Sequence, residues 1–133
     1  MCITVLATIL GSLAHAQTGE TPSAPEFEAL TKGKSLHFES GGQYYGAEQF
    51  FSGRRTLWQF ADGNCDPGRW FEADGLICFV YETTPDEQCW RVTGDEVSME
   101  AELYNDGAAS GLIVTLTRKD SDPLPCPGPR VGS

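Results

Sequence analysis

The chain has 133 residues, a length that fits a single domain. Its 19 acidic residues outnumber the 9 lysines and arginines, which gives a formal net charge of −10 at pH 7. An acidic surface repels phosphate backbones and anionic membranes, so this charge argues against nucleic acid as a partner and against electrostatic attachment to membranes. It places no limit on neutral ligands.

The N-terminal segment has the pattern of an export signal. Residues 3–14 are apolar, and the segment ends in Ala14-His15-Ala16, the small-residue pattern that precedes signal-peptide cleavage. The apolar run is shorter than the roughly 20 residues that a membrane-spanning helix needs, so no membrane span is expected. We therefore predict a signal peptide over residues 1–16, a flexible leader over 17–24, and a monomeric periplasmic or secreted protein.

A short helix is predicted directly after the leader. Ser23 and Glu26 have the spacing of a capping box, and Pro25 suits an early helical position. Gly33 suits the position just past the helix C-terminus. These signals support about two turns of helix at the start of a single β domain spanning residues 25–126.

The rest of the domain has the pattern of short strands separated by turn residues such as Gly41-Gly42, Asp74-Gly75 and Asn105-Asp106-Gly107. No helical pattern lies between them, which favours antiparallel neighbours over parallel crossovers. We predict an all-β antiparallel meander of about eight strands, either closed or nearly closed into a barrel or forming a strongly curved open sheet. The predicted strands are Leu36–Ser40, Tyr44–Ser52, Arg55–Ala61, Arg69–Ala73, Leu76–Glu82, Cys89–Thr93, Glu96–Tyr104 and Ser110–Lys119.

The strand predicted over Glu96–Tyr104 has the clearest alternation. Val97, Met99, Ala101 and Leu103 fall on one face, while acidic residues and Ser98 fall on the other. This period of two is typical of a strand with one buried face and one face in water. We expect all four apolar residues to be buried.

Cleavage of the signal peptide would remove Cys2 and leave four cysteines, which predicts two disulfides in an exported domain. If the strand of Cys89 returns directly beside that of Cys78, the two cysteines share one face, and Ile77 lies opposite Trp90 on the other. This register brings the sulfurs within bonding range, whereas a shift of two residues leaves them diagonal. We predict Cys78–Cys89 and Cys65–Cys126, the second tying the C-terminal tail, residues 127–133, to the loop over 62–68. The pairing Cys65–Cys78 with Cys89–Cys126 is the main rival.

Histidine and metal chemistry have little support in the sequence. His37 is the one histidine after the predicted cleavage site, and no Gly-x-Ser-x-Gly motif is present, so we interpret it as a strand histidine with a hydrogen-bond partner. A zinc site would need cysteines that the disulfides occupy. No metal or cofactor is expected.

One stretch begins like a calcium loop. Asp62, Asn64 and Asp66 alternate as calcium ligands do, but Pro67 and Ala73 stand where the loop glycine and the final glutamate belong. We therefore interpret this stretch as a turn rich in Asx residues.

The strongest remaining signal is aromatic density, since the chain has three Trp, four Tyr and seven Phe. Such residues can simply fill the core, or they can line a ligand cavity inside a barrel. Glu48, among aromatic residues in YYGAEQFF, is the one acid that we single out as a functional candidate. The candidate ligand-binding residues are Trp58, Trp70, Phe79, Tyr81 and Trp90.

Several phrases between Leu30 and Trp90 resemble small exported proteins of alphaproteobacteria that form an uncharacterised, β-rich domain family. They are LTKGKSL, GAEQFF, GRRTLWQFADG, CDPGRW and ICFVYE followed by QCW. The resemblance implies a periplasmic or secreted β protein and no assigned activity. Our leading hypothesis is a non-enzymatic binding protein that holds a small apolar or glycan ligand, or docks an envelope protein, through aromatic residues. A carboxylate-dependent envelope hydrolase and a structural envelope protein without a ligand are the alternatives.

Overall fold

The computed structural model describes residues 21–128, so the predicted signal peptide and the last five residues lie outside the described range. Helix α1 spans Ala24–Thr31 and confirms the predicted capping box. The Glu26 amide donates to Ser23 Oγ at 3.3 Å, and Glu26 Oε1 accepts from the Ser23 amide at 3.4 Å. Gly33 follows with φ +75°, as expected past a helix C-terminus. Within residues 21–128 no helix is long and apolar enough to cross a membrane.

Eight antiparallel strands follow the helix and close into a barrel, which confirms the predicted meander. Each strand pairs with the next one along the chain, and the last strand pairs with the first. The strands are β1 (Ser35–Ser40), β2 (Gln43–Phe50), β3 (Arg55–Phe60), β4 (Cys65–Ala73), β5 (Leu76–Tyr81), β6 (Gln88–Gly94), β7 (Met99–Asn105) and β8 (Ala108–Asp120).

The prediction for β4 was wrong at its start, because the strand begins at Cys65 rather than at Arg69. Pro67 lies inside it, opposite Leu57 of β3. Proline lacks an amide proton, but the Pro67 carbonyl accepts a hydrogen bond from the Glu82 amide at 2.9 Å on the other side. Part of the predicted loop over 62–68 is therefore barrel wall.

The prediction for β7 was also wrong at its start, because Val97 lies in a loop and is 80% exposed. The Asp95 carboxylate accepts hydrogen bonds from the amides of Val97 at 2.8 Å and Ser98 at 2.9 Å. This local Asx turn satisfies backbone groups that the strand ladder would otherwise pair. Met99 and Ala101 are buried as predicted, and Leu103 is partly buried against the core.

The helix covers one end of the barrel. Its buried Phe27 packs edge-on against Phe50 at 5.6 Å and against Trp70 at 4.9 Å between ring centroids. The connections β1–β2, β3–β4, β5–β6 and β7–β8 all lie at the opposite end. The barrel therefore has a covered end and a free end.

Both predicted disulfides, Cys65–Cys126 and Cys78–Cys89, are present. Cys78 and Cys89 are directly opposite in the β5–β6 register, with Ile77 opposite Trp90 as predicted. The segment before Cys126 packs on the barrel, since Leu124 is buried and its amide donates to Gln49 Oε1 at 3.0 Å. The tail is thus held by both a covalent bond and side-chain contacts up to Cys126.

Candidate ligand-binding cavity

The barrel interior contains a cavity of about 320 Å³. This volume falls within the range of small-molecule sites, which are mostly apolar with a few placed polar groups. Aliphatic side chains such as Val92, Met99 and Val114 form part of the lining. The aromatic residues that line it are Phe27, Phe38, Tyr45, Phe50, Trp58, Phe60, Phe79, Tyr81 and Trp90.

Four of the five aromatic residues singled out from the sequence line this cavity: Trp58, Phe79, Tyr81 and Trp90. The rings of Phe79 and Tyr81 are stacked, with centroids 6.1 Å apart and planes 5° from parallel. Trp70 does not line the cavity. It is buried under the helix against Phe27, and the Arg54 guanidinium lies 4.8 Å from its ring centroid, so its role there is packing.

Two strand glycines make room for the aromatic walls. A Cβ added at Gly46 would overlap the Trp58 indole and lie 2.7 Å from the Gln59 carbonyl oxygen. A Cβ added at Gly68 would lie 2.6 Å from Cδ1 of Tyr81. Real Cβ atoms do not approach so closely, and only glycine permits this contact between ring and backbone. Gly46 and Gly68 therefore set the positions of Trp58 and Tyr81.

Glu48 places a carboxyl group in this apolar interior. It is 3% exposed, and both of its oxygens accept from the Tyr81 hydroxyl, at 3.1 and 3.0 Å. Burial raises the pKa of Glu48 to about 8, and the nearby Asp66 carboxylate adds to the rise. The Tyr81 and Thr56 hydroxyls lower this pKa, although Thr56 Oγ1 has no well-formed hydrogen bond among the described residues. At pH 7 the Glu48 carboxyl is mostly protonated.

Asp66 is a second buried acid, 1% exposed, but it does not line the cavity. It accepts from the Thr83 amide at 3.0 Å, the Thr83 hydroxyl at 2.6 Å and the Thr84 hydroxyl at 3.1 Å. These bonds tie the β5–β6 loop, residues 82–87, to the barrel wall. Its oxygens are thus engaged in holding the rim of the free end.

The cavity reaches the free end of the barrel, where Phe60, Ala61, Thr84 and Gln88 are among its lining residues. Phe60 is 42% exposed, and its ring contacts Trp58 edge-on at 6.2 Å. Sequence reasoning did not single out Phe60, although it follows Trp58 by two residues and shares its face of β3. That period-two relation could have identified it. Phe38 and Tyr45 were not predicted, because neither lies two positions from one of the aromatic residues singled out from the sequence.

The other candidates from the sequence lie away from the cavity. His37 Nε2 lies 3.3 Å from Asp120 Oδ2, and Arg118 approaches the same ring, so His37 has the hydrogen-bond partners expected of a strand histidine. Desolvation, followed by the charge of Arg118, lowers the pKa of His37. The Asp62 carboxylate accepts from the Asn64 amide at 2.9 Å, as in an Asx turn. Asp66 takes no part in this turn, because its buried carboxylate accepts hydrogen bonds from Thr83 and Thr84.

Metal ligation has no support from the described residues. Their one cluster of three potential ligands consists of Cys78, Glu87 and Cys89. Both sulfurs belong to the disulfide, which leaves a single carboxylate.

A second concavity is a groove of about 550 Å³ along β3, β4 and β5, with Arg55, Leu57, Pro67, Arg69 and Val80 among its lining residues. It is larger but more open than the interior cavity. Deep burial of the ligand is the property that small-molecule sites share, so the interior cavity is the better candidate.

No protein-family model, curated protein or solved structure matches the chain. The site therefore has to be interpreted from its own chemistry.

Proposed function

We propose that this barrel is an exported binding protein that holds one small, mostly apolar molecule in its interior cavity. The observation that carries the proposal is the cavity of about 320 Å³, with aromatic walls and the Glu48–Tyr81 pair as its buried polar group. A barrel of eight strands has an interior just large enough for its own side chains or for one small ligand. Here the walls leave space, so the second use is favoured over simple core filling.

A periplasmic or secreted location is part of the same proposal. Two disulfides in a domain of this size are typical of oxidising compartments, and the apolar segment before Gln17 has the pattern of an export signal. Docking of an envelope protein is the alternative use of the aromatic residues. Tyr44 and Phe60 are exposed near the rim, but an open cavity behind Phe60 favours the small ligand.

A hydrolase remains the second candidate because a carboxyl of raised pKa in an apolar site has the property expected of a general acid. Carboxylate-pair hydrolysis needs a second carboxylate across the site, roughly 5–10 Å away. Glu48 is the one carboxylate that lines the cavity among the described residues. Turnover of chromogenic glycosides that disappears in Glu48→Ala would favour the hydrolase over the binding protein.

The binding proposal is tested with N-phenyl-1-naphthylamine, an uncharged fluorescent probe of suitable size. We expect saturable binding with one probe per chain and energy transfer from the cavity tryptophans. Ala101 is buried and lines the cavity, so Ala101→Phe should fill the space and abolish binding. Ala108→Phe, at an exposed position at the start of β8, is the matched control and should bind normally.

Thermal unfolding of both variants shows whether they are folded. Unchanged probe binding by a folded Ala101→Phe protein would place the probe outside the cavity and contradict the proposal. If Ala101→Phe does not fold, Val114→Phe, on the neighbouring strand of the same wall, takes its place. Native mass spectrometry of protein purified without harsh washing then identifies any ligand that co-purifies.

A further inference from the structure

The charges around the cavity are one-sided. Glu48 lines it, and within the part of the chain that the structure describes no lysine, arginine or histidine does. Three arginines have contacts elsewhere: Arg54, in the turn between β2 and β3, with Glu28, Arg118 on β8 with Asp120, and Arg55 on β3 with the ring of Phe51. A buried carboxylate normally has a cationic partner or a full set of hydrogen-bond donors. Among the described residues, the Tyr81 hydroxyl is the one well-formed donor to Glu48, and no cationic side chain lines the cavity beside it.

The walls beside Glu48 suit a cation. Trp58 is directly opposite Glu48 in the β2–β3 register, and the ring centroids of Tyr45 and Trp58 lie 5.7 Å apart. Aromatic faces attract ammonium groups through their quadrupoles, and indole is the strongest of them. The net charge of −10 also favours the approach of cations over anions. A carboxyl group enclosed by aromatic rings is the arrangement that recognises organic ammonium ions.

We propose that the ligand of this cavity is a small hydrophobic amine, bound with its ammonium group on Glu48 and its apolar body against Trp58, Phe79 and Trp90. This inference rests on the proposed binding function and adds the chemical class of the ligand.

Binding should be coupled to proton release. The titratable groups that act on Glu48 are Tyr81 on β5 and Asp66 on β4, and Tyr45 on β2 acts in turn on Tyr81. The strands β1 and β3 place Leu36 and Trp58 opposite Glu48. Burial raises the pKa of both tyrosines, so neither hydroxyl ionises near neutral pH. Since the pKa of Glu48 is about 8, an arriving ammonium group displaces a proton from this carboxyl to solvent below that pH.

The test compares 2-phenylethylamine with 2-phenylethanol, which differ in an ammonium against a hydroxyl group. At pH 8.5 we expect the amine to bind at least roughly tenfold more tightly, the difference between a charge-assisted and a neutral hydrogen bond. Amine affinity should rise by nearly tenfold per pH unit, about one proton per ligand, between pH 6 and 7.5, then level off. Alcohol affinity should stay flat over that range. Calorimetry in two buffers of different ionisation enthalpy counts the released protons.

Glu48→Gln removes the charge while keeping the shape, so it should abolish the amine preference and the pH dependence of amine binding. Thermal unfolding shows whether the variant is folded. Glu100→Gln makes the same charge change at an exposed position on β7 and should behave like the parent protein.

The two proposals fail separately. If the alcohol binds as tightly as the amine, or if only the uncharged naphthyl probe binds, the amine inference is overturned and the binding function stands. If neither the phenylethyl ligands nor the naphthyl probe binds to the folded protein, the binding function itself falls, and the inference falls with it.

Discussion

Glu48 is a carboxyl group that the barrel keeps in an apolar interior, where Tyr81 is its one well-formed donor and no cationic side chain of the described residues lines the cavity. Such a group lowers the stability of the fold whenever it has to ionise, because the charged form loses its hydration on burial. A protein gains nothing in stability from this arrangement, and an apolar residue of similar size would fill the position at lower cost. The placement is easier to explain by recognition of a ligand than by folding.

Replacing Glu48 by Gln should therefore change how stability depends on pH. The folded pKa of about 8 lies above the ordinary value of 4.5, so this group's contribution is fully present below pH 4.5 and is lost as the pH rises to 8. That loss corresponds to about 3 to 5 kcal/mol. Urea unfolding should give equal stability for parent and Glu48→Gln near pH 4, and the variant should be more stable at pH 8. A constant difference at all pH values would contradict this account of Glu48.

At the scale of single elements, the strands act as supports for the cavity walls. Gly46 on β2 and Gly68 on β4 allow rings to lie directly on the backbone of the neighbouring strand. Asp66 on β4 holds the loop after β5 by three hydrogen bonds. The shape of the cavity thus depends on residues that carry no ligand contacts themselves.

Gly46→Ala should distort the wall at Trp58. The new methyl group would lie 2.6 Å from Cη2 of Trp58 and 2.7 Å from the Gln59 carbonyl oxygen, so both ring and strand must shift. Overpacking of this kind costs about 1–3 kcal/mol, and the shifted indole should also weaken probe binding. Gln43→Ala, at the exposed start of the same strand, is the control and should change stability by less than about 0.5 kcal/mol. If the free energy of unfolding of Gly46→Ala equals that of the parent, the Trp58 wall accommodates the methyl group without loss of stability, and the prediction is wrong.

Asp66→Ala should release the β5–β6 loop. It leaves the Thr83 amide and the two threonine hydroxyls without their acceptor, so we expect a loss of about 1–3 kcal/mol. Amide hydrogen exchange over residues 82–87 should become faster. Asp95→Ala removes a similar turn at the opposite end of the barrel and should affect the β6–β7 loop alone. Faster exchange throughout the protein in Asp66→Ala would mean global destabilisation instead of loop release.

Local chemistry accounts for much of what the sequence could predict about these elements. Turn residues located the strands, and face counting in LICFVYE and CWRV found the Cys78–Cys89 register. Val97 was misplaced because the Asp95 side chain competes with the strand ladder, and binary patterning does not detect this competition. Trp70 was grouped with the cavity residues because its place depends on which end the helix covers, a long-range contact with Phe27. The contacts of Gly46 and Gly68 likewise depend on strand pairing across the barrel.

At the scale of the whole molecule, one disulfide holds the C-terminal segment on the barrel and the other joins two neighbouring strands. Cys65–Cys126 joins positions 61 residues apart and holds the segment that ends with Leu124 and Pro125 against β2 and β3. Cys78–Cys89 joins neighbouring strands only 11 residues apart. In the chain-entropy description the longer loop restricts the unfolded chain more strongly.

Removal of each disulfide by paired Cys→Ser substitutions should follow that order. We expect a loss of about 4 kcal/mol for Cys65 with Cys126 and about 3 kcal/mol for Cys78 with Cys89. Urea unfolding at one pH measures both losses, and because Cys78 is fully buried, paired Cys→Ala substitutions repeat the comparison without a buried hydroxyl. A larger loss for the Cys78 pair would show that native contacts between β5 and β6, and not chain entropy, dominate its effect.

Every strand of the described barrel is paired on both sides, so we expect a partner to use side-chain surfaces rather than to add a strand. The shortest strand pairing in the described barrel is that of β5 with β6, which consists of the pairs Ile77–Trp90, Cys78–Cys89 and Phe79–Gln88. The Cys78–Cys89 disulfide joins these two strands. Reduction would leave three residue pairs to keep the barrel shut, and opening would expose two strand edges beside Phe79 and Trp90. We therefore expect the bond to protect the protein against self-association, and the reduced protein to aggregate before it unfolds completely.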